Sequence, residues 1–358
     1  MIKYIGSKRR LVPRIVALAA AVPGAQTALD LFTGSTRVAQ GLKRAGLTVT
    51  ANDLATYSEL LATTYIATDA RRVNRARLSA MLDEMNALPG TRGYFTRTFC
   101  EESRYLQPKN GMRVDAMRSH LETVAATPTE RAILLTALLE AADRVDSTTG
   151  LQMSYLKGWS TRSHRDIAVR MPTLIDGTGA ASRADAADLV RTGATYDVAY
   201  LDPPYNQHSY YRNYHVWETL VRGDAPAAYG IARKREDCRT VRSAFNLRTA
   251  AWDALRGVVL GVRARHVILS FSDEGFFGVE AINALLAERF GEVAAVAVPS
   301  RRYVGAKIGI YSLRGELVGE VGHLTNTEWL FLAGPEALEI VRAAEERLLA
   351  DPAQAEVA

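Results

Sequence analysis

Short apolar runs, each closed by a polar turn, alternate with amphipathic stretches through most of this chain. Thr27 to Phe32 reads as a buried strand, followed by the turn Thr33-Gly34-Ser35-Thr36 and an amphipathic helix from about Arg37 to Arg44 that stops at Gly46. A second strand, Leu47 to Ala51, ends at Asn52-Asp53, and a further helix is expected near Tyr57 to Thr68. Strand, turn, helix and strand in this order form the first half of a doubly wound α/β fold. From about Ala70 to Asp176 the chain is rich in arginine and helix formers, without strong strand signals until the sheet pattern resumes near Ser182. Strands are then predicted at Asp197–Leu201, His266–Phe271, Val293–Val298 and Trp329–Ala333, with a helix from Val279 to about Arg289. A last helix, Glu336 to about Leu349, is expected to present Leu338, Val341, Leu348 and Leu349 as its apolar face. The pattern predicts one parallel-rich, Rossmann-like sheet interrupted by a helical insertion. Residues 1–69 and 177–358 form the two parts of the sheet domain, and 70–176 the insertion.

Bulk properties narrow the picture only slightly. The 358 residues suffice for roughly two domains of about 150 residues, or for one α/β core with an insertion. A net charge of +5 and a pI near 9.2 suit a polyanionic partner. Two cysteines, Cys100 and Cys238, exclude a disulfide framework and a cysteine-based zinc site and fit a reducing cytoplasm. Lys3, Lys8, Arg9 and Arg10 precede an apolar run from Ile15 to Val22 in the manner of a signal peptide, but Pro13 and Arg14 interrupt the segment. No other apolar stretch is long enough to span a bilayer, and no ligand cluster for a metal is present.

Candidate chemistry sits where strands end. Asp30-Leu31-Phe32-Thr33-Gly34-Ser35-Thr36 closes a strand and opens a helix, so its backbone amides can face a polar ligand. Gly34 permits close approach or a positive φ, and Ser35 or Thr36 is positioned to cap the helix. Asp53, at the end of the next strand, is placed to hold ribose hydroxyls. A dinucleotide would want Gly-x-Gly-x-x-Gly, whereas this turn has only Gly34. S-adenosylmethionine (AdoMet) has no pyrophosphate and suits it better.

Asp202-Pro203-Pro204-Tyr205 follows the strand Tyr196–Leu201. Two prolines fix φ, remove two donors and leave their carbonyls free to accept. The result is a rigid ledge of one carboxylate, free carbonyls and an aromatic face, suited to a planar ring that carries an amino group.

With these pieces in order, the chain resembles the alpha-group, Dam-like DNA-adenine methyltransferases. Lys3-Tyr4-Ile5-Gly6-Ser7-Lys8 looks like the family's N-terminal motif, with Tyr4, Gly6 and Lys8 at matching positions, and Asp30 through Gly34, including Phe32, looks like its AdoMet loop. Asp185 falls where the family has an acid that contacts the cofactor's adenine, and Asp202-Pro203-Pro204-Tyr205 matches its catalytic motif. Gly111-Met112-Arg113-Val114-Asp115-Ala116 and Ser147-Thr148-Thr149-Gly150 resemble segments of its DNA-reading insertion, and Ser270 to Gly275 resembles the loop after its fifth strand. Two positions depart: Thr36 stands where a second glycine is usual, and Tyr4 where tryptophan is frequent.

The resemblance implies AdoMet-dependent methylation of adenine N6 in a base flipped from duplex DNA, with Asp202 and the Pro203 carbonyl accepting the amino protons and Tyr205 stacking on the base. It implies no metal, a cytoplasmic, nucleoid-associated enzyme of bacterial or phage type, and, in a restriction–modification pair, a cognate restriction endonuclease. DNA-binding candidates in the insertion are Arg97, Arg104, Lys109, Arg113 and Arg118, interleaved with Tyr94, Phe95 and Tyr105. Tyr210, Tyr211 and Tyr214 either close over the flipped base or pack the following helix; His208 and His215 read as structural or surface residues. Cytosine N4 methylation, RNA adenine methylation and a non-catalytic DNA-binding subunit are the alternatives. The leading aspartate favours adenine over cytosine, where serine is more usual, and over RNA, where asparagine is usual.

Overall fold

The strands of the computed structural model, in chain order, are β1 (Thr27–Asp30), β2 (Thr48–Asp53), β3 (Ala180–Arg183), β4 (Tyr196–Leu201), β5 (Ala228–Tyr229), β6 (Lys234–Arg235), β7 (Ala264–Ser272), β8 (Val293–Arg301), β9 (Ile310–Tyr311), β10 (Leu317–Gly319) and β11 (Thr325–Ala333). The structure describes residues 2–6, 8–207, 209–301, 310–311, 317–319 and 325–350; Ser7 and His208 lie outside these. The chain divides into two units, one of Met1–Arg9, Gln26–Ala186 and His208–Ser243, the other of Arg10–Ala25, Ala187–Gln207 and Ala244–Ala358.

In the first unit β1, β2 and β3 run parallel in the order β3-β2-β1, with Thr27 opposite Thr48 and Thr50 opposite Ala180. The period-two pattern is plain in β2, where Val49 and Ala51 are buried and Thr48 is exposed. A helix at Arg37–Arg44 connects β1 to β2. Its Lys43 is buried, and the ammonium donates to the carbonyls of Tyr65, Ile66 and Thr68 at 3.1, 2.8 and 2.8 Å. Those carbonyls close the helix Thr56–Ala62, which continues as a π-helical turn over Thr63–Ala67. Residues 70–176 fall in this same unit and supply helices at Arg75–Ala87, Pro108–Val124 and Pro128–Arg144, with β5 and β6 as a short antiparallel hairpin.

In the second unit β4 and β7 are parallel, and β11 lies antiparallel between β7 and β8. The N-terminal apolar run is a helix here, Val12–Ala21, which starts with its proline in the first turn and buries Ile15, Leu18 and Ala19 on one face. Arg14 pairs with Glu345 at 2.8 Å and Arg347 donates to the Ala20 carbonyl, joining this helix to Ala337–Ala350. The last helix corrects the sequence reading. Its buried face is Ala337, Ile340 and Ala344; of the expected apolar residues, Val341 and Leu348 are half-buried, while Leu338 is 58% and Leu349 80% exposed. Small alanines allow a close approach that the large leucines of the other face would prevent. Among the described residues no helix is long and apolar enough to cross a membrane.

Candidate active site

The glycine turn in the first unit is organised by two aspartates. Asp30, almost fully buried at the end of β1, accepts from Thr33 Oγ1 (2.9 Å) and from the Ala39 amide (3.0 Å). It therefore caps the helix Arg37–Arg44; neither Ser35 nor Thr36 does so through a side chain, contrary to the expectation from sequence. Asp53, at the end of β2, accepts from the Gly34 amide (2.9 Å) with one oxygen and from the Ala55 amide (3.0 Å) with the other. Burial raises its pKa, and these amides act in the opposite direction. Thr36, at the position where the family usually has glycine, has φ +63° and is completely buried. The backbone keeps the left-handed conformation that glycine favours, and the threonine is held there through hydrogen bonds to the Ser35 carbonyl (2.7 Å) and from Gln40 Nε2 (2.9 Å).

The N-terminal motif lies against this turn. A Cβ on Gly34, whose φ is +49°, would stand 3.0 Å from the Tyr4 ring, and one on Gly6, at φ +69°, 2.6 Å from the Tyr210 hydroxyl. Both glycines are thus fixed by close approach as well as by conformation. Tyr4 stacks nearly parallel with Tyr214 (4.6 Å) and with Tyr210 (5.3 Å), and its hydroxyl is 3.4 Å from that of Tyr57. The Ile5 amide donates to the Tyr214 hydroxyl at 2.6 Å, and Tyr211 donates to Asp237 at 3.1 Å. These contacts support the packing reading of the three tyrosines. Burial raises the pKa of Tyr4 and Tyr57, so both are neutral phenols.

Lys3 ties the motif to the helix Pro128–Arg144. Its amide donates to Asp143 (3.0 Å) and its ammonium pairs with Asp143 (3.2 Å) and Asp146 (3.0 Å); Asp146 also pairs with Arg162 at 2.7 Å. Burial pushes the Asp143 carboxyl up to about 6, against the pull of Lys3. Protonation then occurs as pH falls through about 6 and removes one of the two carboxylate charges that pair with Lys3. The expected result is that AdoMet binding weakens several-fold below about pH 6, and that Asp143→Asn shows the weakened value at every pH. Calorimetric titration of AdoMet between pH 5 and 8 reads this; a wild-type affinity flat across that window would remove the link.

Sequence reasoning missed Asn52, Tyr57 and Glu218. Asn52 donates to the carbonyls of Leu31 (3.2 Å) and Ala184 (3.1 Å) and accepts from the Ala184 amide, so it fixes the ends of β1 and β3 beside the exposed Asp185. Buried Glu218 accepts from the amides of Thr56 (2.9 Å) and Tyr57 (3.2 Å) and caps that helix. Its only signal was an acid within an apolar helix. Lys8 is buried, and Phe32 is half-buried in the turn.

In the second unit Asp202 is the first residue beyond β4, half-buried, with Pro203 buried behind it. The ledge is pinned by its neighbours. The Tyr205 carbonyl accepts from the Phe276 amide (3.1 Å), the Asn206 carbonyl from Asn246 Nδ2 (2.7 Å), and the Tyr205 ring tilts against Phe271 at 5.6 Å. Asp273, after β7, accepts from the Thr327 amide at 2.8 Å. The segment that resembles the family's fifth-strand loop therefore supports the ledge.

The five basic candidates of the insertion divide. Lys109 pairs with Asp166 (2.7 Å), Arg113 donates to the Asn86 carbonyl (2.6 Å), and Arg118 donates to the Leu220 carbonyl (2.9 Å) and pairs with Glu122. Arg97 and Arg104 are exposed; Arg104 lies over Trp159 and donates to the Lys157 carbonyl. His215 is fully buried, with Nε2 2.9 Å from the Gln152 carbonyl, and burial lowers its pKa to about 3. It is a neutral structural residue. Among the described residues no cluster of three potential ligands could hold a metal.

A family model described as D12 class N6 adenine-specific DNA methyltransferase matches residues 4–253, which take in the N-terminal motif, the glycine turn, the insertion and the Asp-Pro-Pro-Tyr ledge. The chain belongs to this family. Its fold is the Rossmann-like methyltransferase fold, and AdoMet is the methyl donor of such enzymes. The chain is similar to the modification methylase StsI of Streptococcus sanguinis, 30% identical over 320 residues that cover 84% of this chain and 48% of that protein. It is also similar to the type II methyltransferase M.NlaIII of Neisseria lactamica, 27% identical over 318 residues that cover 85% of this chain and 93% of that protein. The chain thus spans about half the length of the first relative and nearly all of the second. Among solved structures, a SAM-dependent methyltransferase from Agrobacterium tumefaciens covers 93% of this chain and 64% of its own at 11% identity with a TM-score of 0.35, a likeness too distant to bear on function.

Proposed function

We propose that this chain transfers a methyl group from AdoMet to N6 of adenine in duplex DNA, at a specific sequence. The reading is carried by the placement of acids at the carboxyl ends of parallel strands, the position at which open α/β sheets bind ligands: Asp30 on β1, Asp53 on β2 and Asp202 directly after β4. Asp53, Gly34 and Tyr4 supply a carboxylate, a backbone turn and an aromatic wall for the ribose and adenine of AdoMet. Asp185, exposed beside the end of β3, is the further acid proposed for the cofactor's adenine.

The adenine amino group is a poor nucleophile, because its lone pair is delocalised into the ring. Asp202 and the Pro203 carbonyl accept hydrogen bonds from its two N–H groups and draw the nitrogen toward tetrahedral geometry. AdoMet supplies an activated methyl: an N–C bond forms as the S–C bond breaks, and the sulfonium becomes a neutral thioether. The nitrogen is cationic at that point, and Asp202 stabilises the charge and receives the proton before passing it to solvent. Tyr205 stacks on the base for about 1–3 kcal/mol. Flipping the base costs a few kcal/mol, which cationic contacts to the backbone offset in part. In the insertion, Arg97, Arg104 and Lys109 are the candidates that are exposed to solvent.

Incubation with methyl-labelled AdoMet tests the reading. Label is expected in adenine-containing duplex DNA and not in RNA of the same sequence; label in RNA alone would assign the protein to the other class. The restriction–modification role and a partner nuclease remain part of the proposal, as does a cytoplasmic site of action.

A further inference from the structure

Apart from the glycine turn, the first unit contains a cavity of about 580 Å³ lined by segments 92–102 and 225–233. Its side chains include Arg92, Tyr94, Arg97, Thr98, Glu102 and Arg233, three arginines against one glutamate. Arg92 pairs with Glu101 at 2.7 Å and Arg233 with Glu102 at 3.2 Å. These are exposed pairs of the kind that contribute little and exchange readily for a better anion. No carboxylate pairs with Arg97 among the described residues; its guanidinium lies 5.8 Å from the centre of the Tyr94 ring.

Both walls are built rigid. On one side Asp115 accepts from the amides of Gly93 (3.0 Å), Phe95 (3.0 Å) and Thr96 (2.8 Å), which fixes the short turn carrying Tyr94 and Arg97. On the other side Arg235, only 1% exposed, is clamped by Asp224 (2.8 and 2.8 Å) and Asp237 (3.1 and 2.9 Å). The Tyr94 hydroxyl joins the walls through the Pro226 carbonyl at 2.6 Å. Ala225 and Arg233, both lining the cavity, hold φ of +43° and +49°, a conformation that non-glycine residues adopt only where the surroundings impose it. From this hairpin Arg233 lines the cavity, paired with Glu102. At the tip of the same hairpin Ile231 is 82% exposed.

We propose that this cavity seats a phosphodiester of the DNA strand, with Arg97 as the main contact and Arg92 and Arg233 flanking it. The proposal rests on DNA as the substrate. Fixed guanidiniums suit a phosphate oxygen array, and the preorganised walls keep the ordering cost of binding low. The exposed isoleucine beside the cations fits a strand that offers base faces as well as charge, and has no role for a free anion.

The test is equilibrium binding of the full chain to a mixed-sequence duplex as a function of salt, which needs no methyl transfer. Arg97→Gln is expected to weaken binding several-fold and to reduce the slope of log affinity against log salt by about 1, and Arg97→Gln with Arg233→Gln by about 2. Arg97→Lys should keep most of the slope, and AdoMet affinity should not change in any of these variants. An unchanged slope in the double variant overturns the proposal. So does an equal loss from Arg72→Gln, an exposed arginine outside the cavity, because net charge alone would then explain the effect. A wild type that binds duplex with the expected slope yet transfers no methyl refutes the proposed function and leaves this site standing.

Discussion

Asp202→Ala is expected to lower methyl transfer by about 10³-fold or more, while AdoMet and duplex binding stay within a few-fold of wild type. The expectation follows from what the side chain can do after β4. Its backbone is fixed by the two prolines, by Pro203 burial and by the hydrogen bonds that pin Tyr205 and Asn206, so removing the carboxylate leaves the ledge in place. What is lost is the acceptor that raises electron density on the amino nitrogen and stabilises the cation formed by transfer. Asp202→Asn separates the two contributions: an amide oxygen can still accept one N–H hydrogen bond, but it neither carries charge nor takes up the proton. Its rate should fall nearly as far as that of the alanine variant. Single-turnover transfer to saturating DNA is the measurement. A loss confined to DNA affinity would make Asp202 a binding residue and remove its chemical role.

Asp53→Ala is expected to weaken AdoMet by about 10- to 100-fold, the effect of losing about 1.5–3 kcal/mol of charged hydrogen bonding. The carboxylate has two tasks in the structure. It holds the Gly34 amide at 2.9 Å and the Ala55 amide at 3.0 Å, and it offers a negative group at the end of β2. Asp53→Asn distinguishes them, because the amide oxygen can still accept from Gly34. If Asp53 holds the ribose through its charge, the asparagine variant loses AdoMet nearly as severely as alanine. If it only shapes the turn, asparagine is close to wild type. DNA affinity should change little in either variant, and equal losses of DNA and AdoMet in calorimetry would make Asp53 structural.

Much of this arrangement is legible in the sequence, because the signals are local. The β1–turn–helix–β2 unit shows as a change from buried strand to helical period across a glycine turn, and β4 shows as an apolar run closed by two prolines. The resemblance matched Ser270 to Gly275 to the loop after the family's fifth strand without placing it, and the structure sets the following residue, Phe276, with its amide on the Tyr205 carbonyl. What sequence could not reveal is assembled from distant parts of the chain. The Tyr4, Tyr57, Tyr210 and Tyr214 cluster joins three segments, and the arginine-lined cavity joins two, so no window of residues contains either. The β5–β6 hairpin has two residues on each strand, too few for a period. The final helix was misjudged because leucine dominates a hydropathy reading while packing selected Ala337 and Ala344. Arg113 and Arg118 read from sequence as insertion cations, and in the structure both are half-buried and donate to carbonyls of the first unit, while Lys109 stays exposed beside Asp166.

The departure at Thr36 shows the same limit. A glycine in that position would be read from sequence as room for a ligand, and a threonine as a narrowed pocket. The structure keeps the glycine-like φ of +63° and instead turns the threonine hydroxyl onto the Ser35 carbonyl.

The central claim is that this chain methylates adenine N6 at a defined sequence in DNA. Sequencing the genomic DNA of a methylation-free host that expresses the chain, for modified bases, tests it most directly. The prediction is N6-methyladenine recurring at one short sequence motif, and absent when the host expresses Asp202→Ala. Unmodified DNA from a host that contains folded protein, or N4-methylcytosine in place of N6-methyladenine, would contradict it.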